Sequence, residues 1–119
     1  MKTRFVCIAL GVLFLSSTEA RAQSLKGDPA NGQAIYREHC FRCQGQALDG
    51  NGPEAASLQI PPTDFHAPHS RIKDEADLKF TLMRGRSFTA KHGWDEQLRI
   101  DQIRDVVTYI RSVVPHEGY

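Results

Sequence analysis

The chain has 119 residues, 40% of them hydrophobic, and a formal charge of +1. With 15 basic against 14 acidic side chains, the balance gives no argument for nucleic acid or an anionic membrane as partner. Phosphate-loop, nucleophile-elbow and acid–base-pair patterns are absent from the sequence, which speaks against hydrolase or transferase chemistry.

Residues 1–22 read as a secretory signal peptide. Lys2 and Arg4 are followed by an apolar run from Phe5 to Leu15, then by Ala20-Arg21-Ala22, a cleavage pattern that makes Gln23 the new N-terminus. The run is too short to span a bilayer as a helix, and nothing later is apolar enough, so no membrane span is expected after cleavage. Cys7 leaves with this segment. Removing Lys2, Arg4, Arg21 and Glu19 leaves one more acidic than basic side chain in residues 23–119. That stretch is one domain, and a domain of this size buries only about 60–65% of its unfolded surface. Its core is thin, and a staple or a large apolar cofactor would add much.

Asp28-Pro29 predicts a helix start, because proline at the first helical position gives up an N–H that has no partner there. The helix is expected to run to about His39. Gly32 inside it costs propensity, which points to a close helix crossing. Residues 40–62 are rich in Gly, Pro, Asn and Asp and predict a loop, with one helical turn near Glu54 to Leu58. A loop of that length in so small a domain is either functional or wrapped around something.

A middle helix is expected over Asp74 to Arg84, with Leu78, Leu82 and either Phe80 or Met83 inward and Gly85 as its stop. Residues 86–98 read as a second loop, holding Trp94. The last helix is the clearest. Ile103, Val106, Val107, Ile110, Val113 and Val114 follow helical spacing, Arg104, Asp105 and Arg111 fall on the other side, and Pro115 ends it. Arg99-Ile100 stands where a cap is expected, so Asp101 is the predicted cap, one residue late. No segment shows strand alternation. The fold class is therefore all-α, with three main helices and long loops wrapped around a cofactor.

The chemistry centres on Cys40 and Cys43. A C-x-x-C pair serves redox dithiols, metal sites and haem attachment. Export to an oxidising compartment also allows a disulfide.

Several ordered stretches carry a resemblance: GDPANG from Gly27, YREHCFRCQG from Tyr36, Asp49 to Pro53, PPTDF from Pro61, MRGR from Met83, Thr89 to Leu98, and IRDVVTYIRSV from Ile103. The chain resembles a class I cytochrome c of the small bacterial periplasmic type, over about Lys26 to Val114. The resemblance implies haem c joined through thioethers to Cys40 and Cys43, and a periplasmic or secreted, monomeric electron carrier with redox partner proteins. It places the proximal iron ligand at Gln44, where the family has histidine, and the distal ligand at Lys91, where it has methionine. His92, one residue on, is the alternative ligand. An amide oxygen is a poor iron ligand, and lysine binds only as the neutral amine. Tyr36, Gly32 and Tyr109 are expected in the packing of first helix on last, Trp94 beside the cofactor, and His39, His66, His69 and His116 at exposed helix ends or loops.

The alternative is a haem-free protein of the same fold. It would use Cys40, Cys43 and His92, with His39, for copper or zinc, or would close a structural disulfide. Dithiol exchange is disfavoured, because Cys40 falls at a helix end, where the dipole does not stabilise a thiolate.

Overall fold

A computed structural model describes residues 26–85 and 93–118. It is all-α, with no strand among the described residues. The helices are α1 (Pro29–His39), α2 (Phe41–Gln44), α3 (Pro68–Arg71), α4 (Glu75–Arg84) and α5 (Ile100–Val113), with a single 3₁₀ turn at Ala55–Ser57. No described helix is long and apolar enough to cross a membrane.

The crossing of α1 on α5 is the backbone of the domain. Asp28 caps α1 as expected, its Oδ1 accepting from Ala30 and Asn31 N–H at 2.9 and 3.3 Å. The same residue donates its own N–H to Asp105 Oδ1 of α5 at 2.8 Å, while Asn31 Nδ2 donates to Asp105 Oδ2 at 2.6 Å. One carboxylate therefore ties the start of α1 to the middle of α5. Gly32 is the contact point. A Cβ there would fall onto the Asp105 backbone carbonyl and lie 2.9 Å from Tyr109 Cβ. Tyr36 packs against Tyr109 with ring centroids 5.4 Å apart and the rings tilted by 57°. Ile35 and Tyr36 join Ile103, Val106, Val107, Ile110 and Val114 in one buried cluster.

α4 closes the other side of α5. Asp74 caps it, accepting from Asp77 N–H at 2.7 Å, and Gly85 ends it at φ +68°. Leu78 and Leu82 enter the core as expected. Of the pair Phe80 and Met83, Met83 packs against the core and Phe80 is 62% exposed.

Two expectations for α5 need correction. The cap is Arg99, not Asp101. Gln102 Oε1 accepts from Arg99 N–H at 3.0 Å, and Asp101 in the first turn instead holds the Arg99 guanidinium at 2.9 Å. Arginine has no acceptor to return, so only half of a capping box is made. Arg111 does not face solvent: it is buried, while Val113 is exposed. Its guanidinium donates to the carbonyls of Ser70 at 3.0 Å, Lys73 at 2.7 Å and Val114 at 3.3 Å. Those backbone acceptors need donors where water cannot reach, and a cation that serves several of them is tolerated in the interior.

Candidate cofactor site

The site begins where α1 breaks. Cys40 N–H still donates to Tyr36 O at 2.8 Å, but the chain turns there and restarts as α2. Cys43 and Gln44 N–H both donate back to Cys40 O, at 3.2 and 2.9 Å. The two cysteines are thus one turn apart, and both border the same cavity. Sequence reasoning missed α2, a single turn whose residues carry no periodic signal.

The following loop is zipped onto α2 in antiparallel sense. Gly50 N–H donates to Gln44 O at 2.9 Å, Gly52 N–H to Cys43 O at 3.0 Å, and Glu54 N–H to Arg42 O at 2.8 Å. The free carbonyls at the end of a short helix are satisfied in this way. Glycine is required at position 52, because a Cβ would strike the backbone of Arg42 and Cys43. Gly45 leaves α2 at φ +78°, a conformation glycine adopts without steric cost. Its carbonyl accepts from the buried Tyr36 hydroxyl at 2.7 Å. Burial pushes the Tyr36 phenol well above its ordinary range, so it remains a donor. Leu48 sits at φ +61°, which costs a non-glycine residue roughly 1–2 kcal/mol. Its completely buried side chain and the 2.9 Å bond from Phe65 N–H to its carbonyl hold it there.

The cavity has a volume of about 380 Å³. Cys40, Cys43 and Gln44 form one wall, Pro61, Pro62 and Phe65 another, and Leu82, Trp94 and Ile110 the core side. Trp94 is set by its backbone N–H, which donates to Leu82 O at 3.0 Å. His39 meets the Trp94 ring edge-on at 5.3 Å and borders the cavity, rather than simply ending a helix in solvent. At the rim, Arg42 pairs with Glu54.

Of the residues singled out from sequence, Cys40, Cys43 and Gln44 come together, as do Pro61, Pro62 and Trp94. Lys91 and His92 lie outside the described residues. Tyr36 was not expected at the site, and His39 only as a donor in the alternative copper or zinc site. Their positions four and one residues before Cys40, on the last turn of α1, were the signal available. Cys40 and Cys43 are not joined to each other in this structure. Among the described residues no group of three or more His, Cys, Asp or Glu side chains is placed to hold a metal ion, and the copper or zinc alternative finds no support.

The arrangement suits a flat, largely apolar ring attached through two thiols one helical turn apart. The iron donor is where it departs from the ordinary. Gln44 Oε1 is sealed from solvent and has no hydrogen-bond partner.

Comparison with known proteins agrees with this geometry. A family model, Cytochrome c, matches residues 29–114, and the chain belongs to that family. Membership implies covalently bound haem c. A curated relative, dihydro-heme d1 dehydrogenase of Pseudomonas aeruginosa, is 29% identical over 96% of this chain. The chain spans only 20% of that relative's length. Among solved structures, a chain of a reducing HAO-like protein complex from Kuenenia stuttgartiensis superposes with a TM-score of 0.61. It shares 22% identity, over 70% of this chain and 41% of the other. The c-type cytochrome KustC0563 gives a TM-score of 0.54 at 19% identity, over 69% of this chain and 95% of its own. Both likenesses concern the fold.

Proposed function

We propose that residues 23–119 form an exported electron-transfer cytochrome, with haem c held by thioethers at Cys40 and Cys43. Residues 1–22 act as its export signal, and the periplasm or the outside of the cell is its compartment. The observation that carries this reading is the pair of thiols bordering one apolar cavity at the break between α1 and α2. Haem supplies an iron that gains and loses one electron. The protein's own residues bind and shield it. Pro61, Pro62, Phe65, Leu82 and Trp94 exclude water, and the loop of residues 45–54 clamps the attachment turn through its backbone.

When haem is bound, residue 44 would stand where the family has its proximal histidine, with an amide that is a poor iron donor, and Lys91 or His92 would supply the donor on the other side. Lysine coordination requires loss of a proton from an amine whose ordinary pKa is about 10.4. Imidazole from His92 is available at neutral pH without that cost. The protein acts as a monomer that exchanges electrons with redox partner proteins.

The test is expression of the full chain in a bacterium that carries haem-attachment machinery, followed by a haem stain on a denaturing gel. Wild type gives a stained band, and the double variant Cys40→Ser/Cys43→Ser gives none. A folded, colourless wild-type protein would contradict the proposal.

A further inference from the structure

The haem reading leaves one residue of the cavity wall without a role. Gln44 is fixed at both ends of its backbone, its N–H donating to Cys40 O and its carbonyl accepting from Gly50 N–H, each at 2.9 Å. Its side-chain oxygen is sealed and unpartnered. A carboxamide oxygen is a hard, weak donor, and haem iron is held in proteins by imidazole, thiolate, thioether or phenolate. Among the described residues, the imidazole bordering the cavity is that of His39, whose ring packs edge-on against Trp94. The two thiols are used in attachment.

Resting on the haem reading, we infer that residue 44 leaves the iron face beside it without a protein ligand, so that the ferrous protein is high-spin and binds a small uncharged ligand. The preference for an uncharged ligand follows from the wall. Tyr36 is buried and directs its hydroxyl at Gly45 O, and the rim cation Arg42 is paired with Glu54. Glu38 and Glu54 also border the cavity, so an anion entering it would shed hydration beside carboxylates, with the Arg42 guanidinium already paired. Gln44 therefore converts an attachment turn for a pure electron carrier into one side of a ligand-binding site.

The experiment uses the full chain with haem attached, reduced with dithionite, with carbon monoxide as probe and the visible spectrum as readout. Wild type is expected to show a high-spin ferrous spectrum that shifts on carbon monoxide addition. Gln44→Leu should leave both the spectrum and the carbon monoxide affinity unchanged, because no ligand is lost. Gln44→His should change the ferrous spectrum, because an imidazole now reaches the iron. A low-spin wild type indifferent to carbon monoxide would overturn the inference. So would a Gln44→Leu spectrum that differs from wild type, since the amide would then be a ligand. A silent Gln44→His would overturn it too, since residue 44 would then not border the iron. The haem stain separates these failures from the other: an unstained wild-type band removes the haem reading, and this inference with it.

Discussion

The α1–α5 crossing and the wall of residues 40–65 are built by opposite means. The crossing is two regular helices whose own backbone bonds are satisfied internally, locked by apolar burial and by one carboxylate, Asp105. The wall has one α-helical turn, one 3₁₀ turn and a loop whose backbone groups must find partners across the chain, at 42 with 54, 43 with 52 and 44 with 50. The crossing gives the domain its stability, whereas the wall gives the cysteines their placement. Damage to the first should unfold the protein, and damage to the second should change the cavity while leaving the fold.

The largest effect is expected at Gly32. A valine there places side-chain atoms into the Asp105 carbonyl and against Tyr109. Two backbones in contact cannot both give way, so a loss of about 3 kcal/mol or more is expected in denaturant unfolding. Next comes Arg111→Leu, which removes the donors to Ser70, Lys73 and Val114 carbonyls. Leaving buried acceptors unpaired should cost about 2 kcal/mol by the same measurement.

Tyr36→Phe sharpens the contrast, because Tyr36 belongs to both regions. Its ring stays in the crossing, and only the bond to Gly45 O is lost. The expected cost is about 1 kcal/mol in thermal unfolding, with faster amide exchange confined to residues 45–52. The smallest effect is acid sensitivity of the wall. Hydrogen bonds from Asn51, side chain first and then backbone, hold the Asp49 carboxyl below the usual carboxylate range. Its folded pKa is depressed, so its contribution is present above the unfolded value. That contribution is lost as pH falls through the lower folded value. Asp49→Asn should therefore flatten the acid limb of a stability–pH curve below about pH 4.

The same division separates what could be read in the sequence from what could not. Asp28-Pro29, Gly85 and the stripe from Ile103 to Val114 mark elements through local rules, and α1, α4 and α5 sit where those rules put them. Gly32 signalled the crossing, because a helix tolerates glycine at a contact point more readily than it benefits from one in solvent. α2 and α3 were not legible. Each is one turn long, too short for periodicity, and its carbonyls find donors elsewhere in the chain: the loop of residues 50–54 for α2, Arg111 and the Glu117 N–H for α3. Arg111 was misread for a related reason. Helical spacing put it opposite the apolar stripe, but its acceptors at Ser70 and Lys73 lie 41 and 38 residues away in the chain. The cysteine pair was legible as a motif, yet only the fold shows Tyr36 beside it and the His39 ring against Trp94.

The central claim is that this chain is a haem electron carrier. A redox titration of the haem-bearing full chain, followed by visible absorption, tests it most directly. The account predicts one reversible transition with the slope of a single electron, present in wild type and absent from Cys40→Ser/Cys43→Ser. A wild-type protein that folds but shows no reversible haem transition would contradict it.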